Sequence, residues 1–434
     1  MTVPAPYRGA RCLAGAAALL CGLFLALMSE ASVVSDRELV TLIASGQTDE
    51  ARALFATLDP DAADWLFFEG RVAKAAGQHD AAIEAFRQAL LLRPTFLAAQ
   101  RELAHTLFIS ADYRAAAHHF RALLRADPAA EFRRGYVFFL DEIDRLRPFS
   151  LNGRFAIVSS SNVNRGSSES IFRPGVPDTP SFGITSQAEP AVGLELGLAG
   201  VHRWSTASAH RWTFDWGVFG RKFEASVHDR ATLSARLRFG RLTARSNWSV
   251  GPFIRLGWAA DEDDSFAVGL GARLDRQIAP NAYLFLSGRF ERRQYLGTTA
   301  FDGPLYSLRA GVSRSFADST VSVGARMTAS FPETVHQRYA EHTLFARMSR
   351  SWSGGLHAGF GLEAGRRRYA DDFPLAGEAR ADDFYLLDVS LRHDAIQVGR
   401  FTPTTRCSLG KTASNIAFFE HSVRECVVGF SRRF

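Results

Sequence analysis

The chain alternates between apolar and polar residues from about Pro148 to its last residue. In the segment RWTFDWGVFG, every second residue from Trp212 to Val218 is apolar, and polar residues such as Arg211 and Asp215 lie between them. Successive side chains of a β-strand point to opposite faces, so this period of two predicts strands with one apolar and one polar face. Each run is about ten residues long, which is the length that a tilted strand needs to cross a bilayer.

Fourteen of these runs are predicted to be strands. They cover residues 151–160, 191–203, 209–220, 230–240, 245–259, 265–276, 281–292, 304–315, 320–330, 338–351, 355–366, 383–393, 396–410 and 422–434. The short connections QIAPN, FADS, WSGG and HDA are predicted to be periplasmic, and longer ones, Ser161 to Pro190 and Arg367 to Asp382, to lie outside. The acidic stretch Asp261 to Asp264 is predicted to be an outer turn, which is either solvated or holds a divalent cation.

A β-sandwich would alternate in the same way, and the polar positions distinguish the two architectures. A sandwich presents Lys and Glu to water, whereas a transmembrane barrel has a polar lumen and aromatic girdles at both membrane interfaces. Here the polar face consists mainly of Gly, Ser, Thr and Arg. Five tryptophans fall mostly near strand ends, namely Trp204, Trp212, Trp248, Trp258 and Trp352. We therefore predict a closed fourteen-stranded antiparallel barrel over residues 151–434.

The charged residues of the polar face are candidates to line the lumen of this barrel. They are Arg211, Asp215, Arg236, Arg238, Arg255, Arg273, Asp275, Arg289, Glu291, Arg326 and Glu363. Two uses are open at this point: cross-strand ion pairs that brace the wall, or a charged path for cargo.

The region before the strands has the period of helices and repeats itself every 34 residues. Phe86 aligns with Phe120, and Gly70 aligns with Ala104, in the small and large positions of tetratricopeptide (TPR) repeats. A weaker third unit precedes these two. The sequence thus predicts a TPR-type all-α domain over residues 35–147, so that the whole chain is a multidomain α + β protein.

The first residues predict a secretory signal peptide. Arg8 and Arg11 precede an apolar run from Leu13 to Met28, and small residues follow it, so residues 1–31 are predicted to be removed. Of the four cysteines, the mature chain then keeps two in a compartment where disulfides persist. If the last hairpin turns near Ile416, Cys407 lies opposite Cys426, and we expect a disulfide between them.

Composition excludes several other classes of function. The formal net charge is +6, but Arg is spread along the chain without a basic cluster, so no nucleic-acid partner is predicted. No P-loop is present, and no cofactor or metal site is predicted. The segment FFEHS places Glu420, His421 and Ser422 in succession, yet neighbouring strand residues point to opposite faces, so no catalytic set forms and an enzyme is not predicted.

Three segments resemble the surface lipoprotein assembly modifier (Slam) family of Gram-negative outer membranes. The repeat region from Arg93 is similar to that of the family. SSSNVNRGSS resembles its Asn-x-Asn element (Asn162 and Asn164), and TASNIAFFEH resembles its last-loop signature. That signature consists here of Ser414, Asn415 and Ile416, and a terminal Phe434 accompanies it. The helical region is short for the family.

The resemblance implies a translocon in the outer membrane with its N-terminal domain in the periplasm. Its partners would be a lipoprotein or secreted protein substrate, a periplasmic chaperone, the barrel-assembly machinery, which recognises a terminal Phe, and outer-membrane lipid. On the last strand, Val428, Phe430 and Phe434 would then face lipid, with Arg432 tolerated near the interface. Two alternatives remain: an exopolysaccharide exporter, which also couples TPR repeats to a barrel, and a passive porin.

Overall fold

The computed structural model describes residues 37–127, 129–175, 178–206, 210–260, 262–316, 318–352, 355–399 and 401–432. The predicted signal peptide and Phe434 lie outside this part of the chain. The chain divides into two compact units, which end and begin at Leu92 and Arg93. The first unit contains helices α1 to α4. The second contains helices α5 to α7 and all of the strands.

Seven α-helices are described, and they precede every strand, as the sequence predicts. They are α1 (37–44), α2 (Thr48–Ala56), α3 (Ala62–Ala75), α4 (His79–Leu92), α5 (Leu97–Ile109), α6 (Tyr113–Ala126) and α7 (Ala130–Leu146). None of the described helices is long and apolar enough to cross a membrane. The pairs α3–α4 and α5–α6 follow the predicted spacing, while their identity as TPR repeats stays a prediction, as does the boundary at residue 147.

The aligned positions of the repeat lie at contacts between helices. A Cβ atom on Gly70 would come within 2.6 Å of the Phe86 ring, so α3 and α4 approach each other only because this position lacks a side chain. In the second unit, Phe120 is buried on α6 and stacks on Phe139 of α7 with ring centroids 4.9 Å apart. The residues that align in the repeat therefore form the contacts between helices.

The strands form a closed antiparallel barrel of fourteen, as predicted. They are β1 (Phe149–Ser160), β4 (Ala191–Ser205), β5 (His210–Phe223), β6 (Arg230–Leu242), β7 (Ser246–Ala259), β8 (Glu262–Ala279), β9 (Ala282–Tyr295), β10 (Gly303–Ser315), β11 (Ser319–Ser330), β12 (Tyr339–Ser351), β13 (Leu356–Phe373), β14 (Glu378–His393), β15 (Phe401–Ser414) and β16 (His421–Arg432). A small hairpin, β2 (Ile171–Phe172) and β3 (Phe182–Gly183), forms a separate sheet within the loop after β1. Closure pairs the backbone groups that an open edge would leave exposed to lipid.

The outer face of the barrel is apolar. Large apolar side chains are exposed at every second position, for example Leu270 on β8, Leu344 on β12 and Phe360 on β13. Trp204 and Trp258, at opposite ends of the barrel, are also exposed, in the positions of an aromatic girdle. The inner face carries most of the charged residues, so the alternation in the sequence separates a lipid-facing surface from a polar lumen.

Strands β1 and β16 close the barrel along the shortest pairing in the described residues. They pair over five residues, from Ala156 with Gly429 to Ser160 with Glu425, whereas every other neighbouring pair is matched over eleven to fifteen. On the outer face of this seam, the rings of Phe155 and Phe430 stack with centroids 6.1 Å apart. Phe430 and Val428 thus lie on the outer face, while the side chain of Arg432 is outside the described part.

Three connections differ from the sequence prediction. The predicted short connection HDA is wrong, because β14 ends at His393 and β15 begins only at Phe401. The predicted loop from Arg367 to Asp382 is wrong, because β13 continues to Phe373 and β14 already begins at Glu378. Arg366 and Arg368 both pair with Asp383 across this hairpin at 3.2 Å, and opposite charges facing each other stabilise the extra ladder. The predicted acidic turn at Asp261 to Asp264 is also wrong, because β8 begins at Glu262 and contains most of this stretch.

Candidate functional site: the barrel lumen and its two mouths

Turns and loops at the two ends of the barrel define its mouths. The mouth next to α7, which includes the turns at Thr243–Arg245 and Asn281, is called the proximal mouth. The opposite one, which includes the loop of residues 161–190 and the turn of residues 415–420, is called the distal mouth. The proximal turns are mostly shorter than the distal loops. This is the asymmetry that the sequence predicted from its short and long connections.

A fully buried carboxylate, Glu291 on β9, forms the most crowded charge cluster of the lumen. Arg255 of β7 approaches it at 3.1 Å and Arg293 at 2.5 Å, and Arg289 donates a third, shorter bond. One carboxylate therefore binds three guanidinium groups, which come from β7 and β9, two strands that are separated by β8. Such charge-assisted bonds are roughly twice as strong as neutral ones, and they link the strands through the interior.

A second cluster occupies the strands on the other side of β10. Glu363 of β13 accepts bonds from Arg326 at 3.2 Å and Arg347 at 2.5 Å. Glu341 of β12 accepts a bond from Arg367 at 2.6 Å. These pairs connect β11, β12 and β13 across the inner wall. Cross-strand ion pairs of this kind suit bracing of the wall, which is one of the two uses left open by the sequence and stays a prediction.

The remaining predicted lumen residues form smaller contacts. Asp215 and Arg238 pair at 2.6 Å across β5 and β6, and Arg273 pairs with Asp275 at 2.7 Å within β8. The guanidinium of Arg236 lies 5.6 Å from the ring centre of Phe253. Arg211, the remaining predicted lumen residue, forms ion pairs with helix α7 at the proximal mouth.

Helices α6 and α7 are anchored to the proximal mouth. Arg211 of β5 pairs with Asp141 at 2.9 Å and with Asp144 at 3.2 Å, both on α7. From the same helix, Arg133 donates to the Ala244 carbonyl at 2.8 Å and to the Tyr283 hydroxyl at 2.6 Å. That hydroxyl in turn donates to the Leu124 carbonyl of α6 at 2.5 Å. Bonds to three different parts of the rim hold the two helices at this mouth.

The Asn-x-Asn element shapes the loop at the distal mouth. Asn162 is buried, donates to the carbonyls of Gly166 at 2.9 Å and Ser422 at 3.0 Å, and accepts from the Gly166 amide at 2.8 Å. Asn164 accepts from the Gly166 amide at 3.1 Å. A Cβ on Gly166 would lie 2.1 Å from the Gln187 carbonyl oxygen, so only glycine fits there. The element thus ties the first loop to the start of β16.

The last-loop signature meets the first loop at the same mouth. Ile416 is buried with Phe172 and Ile184, and Phe418 stacks on Phe172 with centroids 4.5 Å apart. Asn415 accepts from the Ala381 amide at 2.7 Å, and the hydroxyl of Ser414 accepts from the Ile416 amide at 3.3 Å. The last-loop signature and the later part of the first loop therefore form one apolar cluster. The SSSNVNRGSS segment contacts the last loop through a hydrogen bond, which the Ser167 hydroxyl donates to the Ala417 carbonyl at 2.6 Å.

We predict that Asn162→Ala loosens the first loop. The change removes three hydrogen bonds and leaves buried backbone groups unpaired, which costs about 1–3 kcal/mol. Tryptic cleavage after Arg165 and Arg173 in the purified protein should then become about tenfold faster, since local opening controls cleavage. Asn247→Ala, at an exposed position of β7, is the matched control and should leave the rate unchanged. Equal cleavage of Asn162→Ala and wild type would contradict the prediction.

Two of the four cysteines are joined next to the seam. Cys407 of β15 and Cys426 of β16 are register partners and form a disulfide, with Cα atoms 4.1 Å apart. Register places Cys426 on the same outer face as Val428 and Phe430. The disulfide therefore fastens β16 to β15 along the edge opposite its short pairing with β1.

Sequence reasoning missed several charged residues that the fold brings into the lumen. Arg221 of β5 bonds to both Glu195 and Glu425 at 3.0 Å and so crosses the closing seam. Glu195 lies between Leu194 and Leu196, so alternation alone could have assigned it to the inner face. The face of Glu425 depends on register, because its neighbours Arg424 and Cys426 give no apolar signal.

No group of metal-ligating side chains occurs among the described residues. The lumen is thus characterised by ion pairs, and its two mouths by the α6–α7 contacts and by the apolar loop cluster.

Comparison with known proteins places this barrel in a family. No curated protein matches the chain. Solved structures that are similar to it include the TodX monoaromatic hydrocarbon channel (deltaS2 mutant), at 9% identity and a TM-score of 0.36, covering 69% of this chain and 94% of that one. A loop L8 deletion mutant of OmpT, an outer membrane protein of Vibrio cholerae, is similar at 7% identity and a TM-score of 0.34. A Rh. blastica porin mutant is similar at 10% identity and a TM-score of 0.30. Each of these two alignments covers 65% of this chain and 99% of the other chain.

The sequence model of the surface lipoprotein assembly modifier family matches residues 149–434, about two thirds of the chain. The matched region begins at the first residue of β1 and contains the whole barrel, both motifs and the disulfide. The chain belongs to the surface lipoprotein assembly modifier family.

Proposed function

We propose that this protein is an outer-membrane translocon that delivers specific lipoproteins or related secreted proteins to the cell surface. The observation that supports this most is the family match over the complete barrel. An apolar outer face and a charged interior suit a transport protein in the outer membrane, rather than an enzyme. No cofactor is part of the proposal.

The lengths of the connections at the two mouths support an orientation of the barrel in the membrane. Outer-membrane barrels have short periplasmic turns and longer surface loops, so the proximal mouth with α6 and α7 would face the periplasm. The N-terminal helices would then receive the substrate or its periplasmic chaperone. The distal loops, with the two motifs, would meet the surface. Outer-membrane lipid would surround the barrel, and the barrel-assembly machinery would insert it, whereas no nucleic acid takes part.

The exporter of an anionic polysaccharide is the second candidate. The arginine-rich proximal lumen favours it, because a glycan with carboxylate groups would find many partners there.

The deciding experiment measures cargo at the surface of intact cells. Deleting the gene for this protein is expected to remove a lipoprotein encoded beside it from the surface, as seen by antibody labelling, while its total amount stays constant. Complementation with the full chain should restore labelling, and a chain without residues 35–147 tests whether the helices are required. Loss of a surface polymer alone would instead indicate the exporter, and altered small-solute uptake alone would indicate a porin.

A further inference from the structure

A cavity of about 680 Å³ lies between helices α6 and α7 and the proximal part of the lumen. Eight arginines line it, together with a single carboxylate, Asp275. A water-accessible space between protein walls strengthens the field of such a one-sided set of charges. The cavity is thus strongly positive, in contrast to the paired clusters around Glu291 and Glu363.

Half of these arginines already have partners. Arg211 pairs with α7, Arg273 pairs with Asp275 at 2.7 Å, and Arg347 pairs with Glu363 at 2.5 Å. Arg133 bonds only to neutral oxygens, including the Asp127 carbonyl at 2.9 Å. The contacts of these four arginines link the barrel wall and the helices, so bracing explains why they are present.

The other four have no ion pair with any acidic residue in the described part of the chain. They are Arg121 and Arg125 on α6, Arg245 in the turn after β6, and Arg309 on β10. Arg309 lies over the rings of Phe345 at 4.2 Å and Phe285 at 5.6 Å, and its buried Nε has no hydrogen-bond partner. Bracing therefore does not explain them.

Burial makes the charged forms of the two arginines on α6, Arg121 and Arg125, less favourable than they are in water. Burial, together with repulsion from Arg203, lowers the pKa of Arg121 to about 10, although attraction from Asp144 opposes this shift. Burial also lowers the pKa of Arg125, against a weaker attraction from Asp275. The nearby carboxylates thus compensate this buried positive charge only in part, so a ligand of opposite charge would be bound favourably there.

We infer that this cavity binds an acidic segment of a polypeptide. Guanidinium groups match carboxylates with two parallel hydrogen bonds, and several unpaired ones in one space suit a segment with several Asp or Glu residues. The hydroxyl groups of Ser287, Ser313 and Ser322 also line the cavity and suit the backbone of an extended chain.

The position of the cavity agrees with this ligand. It lies just inside the mouth at which α6 and α7 are anchored, so a chain that enters the lumen there would meet the arginines first. The inference rests on the proposed function, since it takes the translocated protein as the source of the acidic segment. A cargo held at this place would be retained before it reaches the ion-paired part of the lumen.

The test uses the purified full-length protein in detergent micelles and fluorescein-labelled hexaglutamate. Fluorescence anisotropy should show binding that weakens as salt rises, because exposed charges are screened. Arg121→Gln together with Arg125→Gln should weaken it by about tenfold or more for each arginine lost. The matched control combines Arg241→Gln and Arg276→Gln, exposed positions at the same end of the barrel, and should bind as wild type does.

A second pair of changes, Arg245→Gln with Arg309→Gln, keeps the test decisive if the first pair affects folding. Urea unfolding of each variant is measured beside binding, and removal of unpaired charge should leave the midpoint equal or higher. The inference is overturned if wild type does not bind hexaglutamate at low salt or if both pairs bind it unchanged. Competition is measured with unlabelled hexaglutamate, inorganic phosphate and polygalacturonate at equal charge. The inference is also overturned if phosphate or polygalacturonate displaces the label as effectively as hexaglutamate does. Equal displacement by polygalacturonate would indicate a glycan ligand. Because cargo display is not involved, failure here leaves the proposed function intact.

Discussion

Glu291→Gln is expected to destabilise the barrel by about 3–5 kcal/mol, because it removes the single carboxylate that three arginines share. Glutamine keeps the size and one acceptor oxygen of the side chain, so the change isolates the charge. Three guanidinium groups would then repel one another inside the wall. Urea titration of the purified protein, followed by tryptophan fluorescence, should show a clearly lower midpoint, and the folded form should be lost at a lower temperature in gel electrophoresis.

The matched control is Glu333→Gln, an exposed acidic residue in the loop between β11 and β12. Surface substitutions of this kind usually change stability by less than about 0.5 kcal/mol. A Glu291→Gln midpoint that matches this control would mean that the arginines find other partners, and that the cluster does not brace the wall.

Removal of the disulfide by Cys407→Ala together with Cys426→Ala is expected to cost about 3 kcal/mol. The cysteines are 19 residues apart in sequence, so the cross-link restricts the last hairpin in the unfolded chain. In the folded barrel it fastens the strand whose other edge pairs with β1 over only five residues. Unfolding measured as for Glu291→Gln should show the loss.

The wild-type protein supplies the control for this second prediction. A reducing agent should lower the stability of wild type to that of the double variant and should leave the double variant unchanged. Mass spectrometry of non-reduced wild type should find no free thiol on Cys407 or Cys426. Two free thiols, or a stability that does not respond to reduction, would refute the role given to the bond.

The strands could be predicted from the sequence because the bilayer imposes a simple rule on them. Every membrane-crossing strand must be apolar outside, and this rule makes the period of two visible in each run. The sequence does not mark the end of a strand where its pairing with a neighbouring strand continues beyond the membrane. At Arg366 to Arg368, charged residues on both strands continue the pairing, and without an apolar face they resemble a loop in the sequence.

The candidate site was predicted only in part for a related reason. Alternation assigns Glu291 and Glu363 to the inner face, but which arginine reaches each carboxylate depends on strand register and tilt. Arg211 was assigned to the lumen wall, and the structure pairs it with Asp141 and Asp144 of α7. Nothing in the local sequence pattern relates a helix to a strand about 70 residues later.

The sequence by itself determined the order of helices and strands and the closed barrel, because these follow from local periodicity and from the requirement that lipid places on every strand. The two motifs were recognised by their resemblance to a family. Only the tertiary structure decided which charges meet. It brought the first loop and Ile416 into one apolar cluster and anchored α7 to the rim. It also left four arginines of the proximal cavity without an ion pair in the described part of the chain. Contacts between distant segments depend on closure and register, and those are properties of the whole sheet, not of any single strand.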